Sequence, residues 1–411
     1  MLIKKNQSEA LQKALSYCAQ HSPFYQNWTA WQDAIATNDF FQIPFTTKQQ
    51  FAEQNEAFRA IPKSKIAEFV TTSGTTGKPV TLYLSKHDLE RLAKNEADSL
   101  QLTGATSEDV FQLMTTIDKQ FMAGLAYYLG VQKMDAGMIR VGPGVLNMQL
   151  NAILNYHPTY LIAVPSFIPR LIEYAEAKNI NLNDTSIKAI ICIGEPIRDL
   201  HFELNQLGKK ITDRWNVALF STYASTEMAT AFTECPQHQG YHTNEDLIYL
   251  EVILEDDKHA QEGELGEIVV TTLGVEGTPL VRFKTGDLAH VYYAKCSCGR
   301  DTTRLSSIVG RKNQMIKFKG TTLFPNSIFA ALNSIEEIGL YQVEVNTQST
   351  EHQLTILLSE KSRNEDLIEK IRTSCKENLR VIPEIEFIAD HQLKSTVFNE
   401  DKRKPELIRF I

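Results

Sequence analysis

The sequence predicts an α/β protein. It has a large N-terminal αβ domain with parallel sheets and a β-rich subdomain, followed by a small, mobile α+β C-terminal domain. Three observations carry this reading. Between Thr106 and Ile193 short apolar runs (DVFQLMTT, TYLIAV, IKAIICIG) alternate with helical patterns such as Ser166 to Ala177, the alternation expected of βαβ units on a parallel sheet. From about Leu247 to Tyr293 closely spaced strand-like runs (LIYLEVILE, GEIVVTTL, LVRFKTGD, AHVYYA) are separated by Gly, Asp and Pro turns. Beyond Gly310 the pattern restarts with a strand and a helix at Pro325 to Leu332. Strands QVEVNT and QLTILLS, a helix at Glu365 to Leu379 and a strand IEFIAD follow. The domains are accordingly placed at 1–311 and 312–411. Ahead of the alternating region, residues 8–20 (SEALQKALSYCAQ) space apolar side chains at helical intervals behind Ser8, with Pro23 beyond, and a second helix runs from about Ser85 to Leu100.

Composition narrows the function. The 411 residues are 43% hydrophobic and 22% charged, and 42 Lys and Arg stand against 50 Asp and Glu for a net charge of −8. That balance is globular and lacks the basic footprint of a nucleic-acid binder. Six cysteines scattered through a chain of this length do not read as a disulfide framework. The N-terminal stretch has no signal-peptide apolar core, and no apolar run reaches membrane-span length. Together these place the protein in the cytoplasm, with no membrane or nucleic-acid partner.

The strongest local signal is Phe69-Val70-Thr71-Thr72-Ser73-Gly74-Thr75-Thr76-Gly77-Lys78-Pro79. Glycines free backbone N–H groups to turn toward an anion, the hydroxyls add donors, and Lys78 supplies charge. It is not a Walker A loop: only Thr75 and Thr76 separate the glycines, and Pro79 stands where Ser or Thr would follow the lysine.

This string resembles the nucleotide loop of the adenylate-forming acyl-CoA synthetases, and further motifs follow in that family's order. Thr222-Tyr223-Ala224-Ser225-Thr226-Glu227 resembles its YGxTE segment, Val281-Arg282-Phe283-Lys284-Thr285-Gly286-Asp287 its YRTGD segment, and Gly310-Arg311-Lys312-Asn313 its GRxD hinge. Within the superfamily the chain is most similar to the phenylacetate-CoA ligase branch. Marks of that branch are Ser22-Pro23-Phe24-Tyr25, Ile43-Pro44-Phe45-Thr46-Thr47-Lys48, Gly194-Glu195-Pro196, Cys296-Ser297-Cys298-Gly299-Arg300 and Gly320-Thr321-Thr322-Leu323-Phe324-Pro325.

The resemblance implies a two-step reaction. A carboxylic acid, aromatic or short acyl, joins the α-phosphate of ATP, and the acyl group then passes from AMP to the thiol of CoA. Positioning and charge control are the tasks of such a site. Thr72 and Ser73 to Lys78 would hold the phosphates, Thr226 would face the α-phosphate, and Glu227 would coordinate Mg²⁺. Asp287 would accept from both ribose hydroxyls, with Arg311 in support. Tyr223 would stack on adenine, across from Gly194-Glu195-Pro196. Lys394 would enter the site for adenylation, with Lys402 and Lys404 as a solvated basic run; the tail has Leu393 where the branch has glycine. Acyl-pocket positions fall within Phe121 to Gly130, Val141 to Gly144 and Thr222 to Ala224. Ala224 replaces a glycine there and favours an acid other than phenylacetate. Relatives in the branch are often homodimers. Transfer to a carrier-protein phosphopantetheine or another nucleophile would use the same residues, and a non-catalytic nucleotide-binding homologue is the third reading.

Cys235, His242, Cys296 and Cys298 offer the ligand set of a closed Cys₃His structural zinc site. Against zinc stands the spacing, which equally suits free cysteines in a β-rich region. The branch resemblance favours zinc and favours His242, just ahead of Glu245-Asp246, over His238.

Overall fold

In this computed structural model, residues 5–36, 39–72, 79–318, 321–335, 337–347, 353–398 and 406–411 are described. They fall into two units, Met1–Ile308 and Val309–Ile411.

The first unit starts with helices α1 (Lys5–His21), α2 (Pro23–Asn27) and α3 (Thr29–Ala36). Leu11, Ala14 and Cys18 form the buried stripe of α1, at spacings of three and four residues. Pro23 opens α2, where its missing N–H costs nothing. Helix α4 (Lys48–Glu53) begins with a capping box in which Thr47 and Gln50 satisfy each other's backbone. An antiparallel hairpin, β1 (Glu68–Thr71) and β2 (Thr81–Leu84), follows. Helix α5 (Lys86–Leu102) is capped by the equivalent box of Ser85 and Asp88.

The alternating region then builds β3 (Val110–Leu113), α6 (Met122–Lys133), β4 (Gly137–Arg140), α7 (Leu146–Tyr156), β5 (Tyr160–Ala163), α8 (Ile168–Glu176), β6 (Ala189–Cys192), α9 (Gln206–Thr212) and β7 (Ala218–Ser225). The strands pair in parallel in the order β4-β3-β5-β6-β7. Every residue of β5 and β6 is buried, which is why these strands read as continuous apolar runs.

After a turn at residues 226–229 the chain returns as β8 (Thr230–Glu234), antiparallel to β7. The remaining strands are β9 (Tyr241–His242), β10 (Ile248–Ile253), β11 (Leu265–Thr272), β12 (Phe283–Tyr292) and β13 (Arg304–Leu305). They extend the same sheet in the order β8-β9-β13-β12-β11-β10. The β-rich region expected as a subdomain is therefore the antiparallel half of one sheet. The reason lies in β7, which pairs in parallel with β6 on one side and antiparallel with β8 on the other.

The second unit contains β14 (Gly310–Arg311), a hairpin of β15 (Ile316–Phe318) and β16 (Thr321–Leu323), and α10 (Pro325–Asn333). Beyond these lie β17 (Tyr341–Asn346), β18 (Gln353–Ser359), α11 (Glu365–Leu379), β19 (Glu384–Ile388), α12 (Asp390–Val397) and β20 (Ile408–Phe410). Its sheet has the order β19-β18-β17-β20, and Ile328, Leu332, Val343, Ile356, Ile371 and Cys375 fill its core. Among the described residues no helix is long and apolar enough to cross a membrane.

Candidate functional site

Strand β7, at the seam between the parallel and antiparallel halves, carries one motif of the first unit and meets another on β12. On β7, Tyr223 donates from its hydroxyl to Asp287 Oδ2 on β12 at 2.8 Å. Both side chains are buried. A bulge sets the position of Asp287: the β11–β12 register passes from Glu267↔Leu288 to Val269↔Lys284, so extra residues on β12 arch out of the ladder. Gly286 sits on that arch at φ +73°, a backbone state that disfavours any side chain. Thr285 ties the arch down by donating to the Ile268 carbonyl at 2.8 Å and accepting from the Asp287 N–H at 3.1 Å. Burial first, and then the neighbouring Asp287, push the Tyr223 hydroxyl well above its ordinary range, so it stays a donor.

Two N-terminal branch marks brace this motif. The Tyr25 hydroxyl accepts from Val281 N–H at 2.8 Å, and Thr46 Oγ1 donates to the Val281 carbonyl at 2.7 Å. Thr46 also bonds through its backbone to Arg282 and Lys284. Arg282, at φ +43°, is buried: its Nη1 reaches the Phe41 and Ile43 carbonyls, and its Nε and Nη2 clamp Glu251 at 3.1 and 2.8 Å. Sequence reasoning did not assign these supports, because Tyr25, Phe41, Ile43 and Thr46 lie more than two hundred residues from Val281 and Arg282.

Thr226 and Glu227 sit half-buried in the turn after β7, which is closed by Met228 N–H donating to Ser225 Oγ at 3.2 Å and Ala229 N–H to the Thr226 carbonyl. Glu227 lies close enough to Tyr223 to add to the shift of its hydroxyl. In the Gly194-Glu195-Pro196 turn, Gly194 has φ +76°, and the Glu195 carboxylate accepts from the Ser166 N–H at 3.1 Å and hydroxyl at 3.0 Å. Thr72 closes the base of the Thr-rich loop, its backbone and hydroxyl bonding across to Val80. Ser73, Gly74, Thr75, Thr76, Gly77 and Lys78 lie outside the described residues.

In the second unit, Arg311 is half-buried on β14 and Asn313 is exposed just after it. Lys394 projects from α12 with its side chain 61% exposed and pairs with Asp390 one turn earlier at 2.9 Å. Leu393, beside it, is fully buried against Leu357 and Val397. The residue that departs from the branch's glycine is thus the anchor of a helix.

The four sulfur and nitrogen candidates converge. Cys235, His242, Cys296 and Cys298 place their ligand atoms all within 4.8 Å of one another. Cys235 Sγ lies 3.8 Å from Cys296 Sγ, and Cys298 Sγ 3.7 Å from His242 Nε2; a tetrahedron of ~2.3 Å metal–sulfur bonds has edges of about 3.8 Å. Strands β8, β9 and β13 create the meeting point by pairing His242 with Thr233 and Arg304. The Cys296–Arg300 turn closes on itself with Gly299 at φ +92°. His242 Nδ1 bonds Thr302 Oγ1 at 2.8 Å, which orients Nε2 toward the sulfurs, as an outer partner of a ligand does. His238 turns away and bonds Glu234 at 3.3 Å. Thr302 was not singled out in the sequence; its hydroxyl, four residues after Cys298, was the available signal.

A parallel sheet carried on by antiparallel strands, with a Tyr–Asp pair at the seam and a separate small α+β unit, defines the chain as an enzyme of the adenylate-forming class. The family model described as AMP-binding enzyme matches residues 4–276, and the chain belongs to that family. It is 28% identical over 371 residues to the phenylacetate-coenzyme A ligase of Thermus thermophilus, covering 87% of this chain and 82% of that one. The ligase of the same name from Escherichia coli K12 is 25% identical over 404 residues, covering 95% and 88%. In fold the chain is similar to 2-hydroxyisobutyryl-CoA ligase, solved in the postadenylation state with 2-HIB-AMP, at TM-score 0.81 and 21% identity over 98% of this chain and 89% of that one.

Proposed function

We propose that this protein is an AMP-forming acid–CoA ligase. A carboxylate oxygen of the acid attacks the α-phosphorus of ATP, the bond to the β-phosphate oxygen breaks, and pyrophosphate leaves. The CoA sulfur then attacks the acyl carbon of the mixed anhydride, AMP departs with the electron pair of the broken C–O bond, and the thiol proton passes to solvent.

In this reading Asp287 binds the ribose hydroxyls, its position fixed by the bulge and by Tyr223. Thr226 donates to the α-phosphate from a closed turn, and the Thr72–Lys78 loop holds the outgoing phosphates. Tyr223 and the Gly194-Glu195-Pro196 turn border the base, and Arg311 supports the ribose. Lys394 stabilises the charge that grows on the α-phosphate. Glu227 is a hard oxygen donor fitted to Mg²⁺, which when bound neutralises phosphate charge. The Cys₃His cluster fits a structural zinc ion: four protein ligands leave no position for substrate, and its task is to pin the short strands β9 and β13 and the Cys296–Arg300 turn. The part of the second unit after about residue 312 is read as the lid that carries Lys394.

The observation that carries the proposal is the Tyr223–Asp287 bond beside the Thr226–Glu227 turn, in a chain of the AMP-binding enzyme family. Pyrophosphate release from Mg-ATP with a panel of carboxylic acids tests it. Acid-dependent release followed by CoA thioester formation is expected. Release with transfer to a carrier-protein phosphopantetheine, and none to CoA, would move the acceptor to the alternative; no release with any acid would overturn the proposal.

A further inference from the structure

Between α5, α6 and the β7–β8 pair lies a group of polar side chains, of which Asn95, Glu96 and Thr233 have no part in the roles above. Asn95, Glu96, Tyr127, Thr222 and Thr233 are all more than nine-tenths buried. Asn95 Nδ2 donates to Glu96 Oε1 at 3.3 Å, and the Tyr127 and Thr222 hydroxyls meet at 3.4 Å. Asn95 Oδ1, Glu96 Oε2 and Thr233 Oγ1 have no hydrogen-bond partner among the described residues. Thr233 is the cross-strand neighbour of Thr222, so the two share a face of the sheet. Helix α6 presses directly on α5 here: a Cβ on Gly130 would come within 2.4 Å of Glu96 Cβ. Burial raises the Glu96 pKa to about 8, so near pH 7 the group is mainly the neutral acid, able to give and to accept a hydrogen bond.

Such a cluster is costly for a core and suited to a ligand, because buried polar atoms persist where something completes their hydrogen bonds. Ala224, two residues from Thr222 and therefore on the same face, is exposed. It belongs with Thr222 to the stretch expected to line the acyl pocket.

We infer that Asn95, Glu96 and Thr233 form the recognition end of the acyl pocket and select a carboxylic acid bearing a hydroxyl or amino group remote from its carboxylate. The inference rests on the ligase reading. It departs from a purely apolar aryl pocket, which would leave Glu96 Oε2 and Asn95 Oδ1 unsatisfied beneath a bare ring.

The test compares kcat/KM for pyrophosphate release by the full-length protein with phenylacetate, 4-hydroxyphenylacetate and 4-aminophenylacetate, and with hexanoate and 6-hydroxyhexanoate. The expected result is a preference of roughly 10- to 100-fold for the substituted member of at least one pair. That preference is partly kept by Glu96→Gln and reversed by Glu96→Leu. Equal use of both members of each pair by the unaltered protein, or a preference that survives Glu96→Leu, would overturn the inference and leave the cluster as a water site. The unaltered protein alone decides the first comparison, so a variant that folds poorly does not blunt it. If no acid releases pyrophosphate, the ligase reading fails. Calorimetric binding of the same acids then decides this inference: tighter binding of the substituted acids supports it, and equal binding overturns it.

Discussion

Tyr223 and Asp287, 64 positions apart, share a hydrogen bond of 2.8 Å at the boundary between the two halves of the sheet. The bond orients a carboxylate that the fold has already buried. Asp287→Ala removes an acceptor worth about 1.5–3 kcal/mol per charged hydrogen bond, so ATP should bind roughly tenfold more weakly or worse. Tyr223→Phe should show a smaller loss. Calorimetric titration with ATP measures both, and unchanged affinity in the two variants would place the nucleotide elsewhere.

Zinc content is a direct readout of the Cys₃His cluster. Protein purified without chelator should carry about one zinc per chain. Cys296→Ser should lose the metal and melt at a lower temperature, because a structural ion lends its binding energy to the folded state. His238→Ala should retain it. Elemental analysis and thermal denaturation decide the matter, and metal-free native protein of full stability would reject the site.

Glu251 is buried, and Arg282 clamps it with two hydrogen bonds. Truncating one member of such a pair strands the other charge, at a cost of about 3–5 kcal/mol. Glu251→Ala should shift the denaturant midpoint of the first unit by a matching amount, and a midpoint within error of the parent would contradict the clamp.

Lys394 is itself exposed and pairs one turn away with the half-buried Asp390, so it is available for charge stabilisation. Lys394→Ala should slow acyl-AMP formation by roughly 100-fold or more, while thioester formation from supplied acyl-AMP stays within about threefold. Equal losses in both steps would point to damaged folding, and no loss in either would assign the role to another lysine. Asp390→Ala, which removes the Lys394 partner together with its contacts to Ser359 and Lys361, should leave both steps within about tenfold.

Glu96 predicts a pH dependence with a defined sign. Its folded-state pKa is raised from the model-compound 4.5 to about 8, so across that window the unfolded chain binds fewer protons than the folded one. Stability contributed by this site is therefore flat below about pH 4.5, falls as pH rises toward 8, and levels off above. Glu96→Gln carries no such titration. The stability of the variant relative to the parent should rise between pH 5 and 8, as read from urea midpoints; a constant difference would show that Glu96 titrates normally.

The parallel half was legible because burial on both faces writes itself as apolar runs, as in Tyr160–Ala163 and Ala189–Cys192. Strands β9 and β13 were not legible: two residues carry no periodicity, and neighbours alone hold them in the ladder. His242 was found through its chemistry, without the strand that positions it. Helix α12 escaped for a related reason, since Leu393 and Val397 are its only buried residues and two points do not make a pattern. Thr285-Gly286 was read only as part of a motif, and its use as a bulge that aims Asp287 depends on β11, whose pairing no local sequence reveals.

The brace between Thr46 and Val281 also has a consequence in time. Its two ends are 235 positions apart, so a ribosome adding about 5–20 residues per second needs on the order of 10–50 s to supply the second after the first. Through that interval the backbone of residues 41–46 lacks the Val281–Lys284 partners that it bonds in the finished fold. The N-terminal segment, made first, can therefore complete this brace only after the strand that carries Val281 has been made.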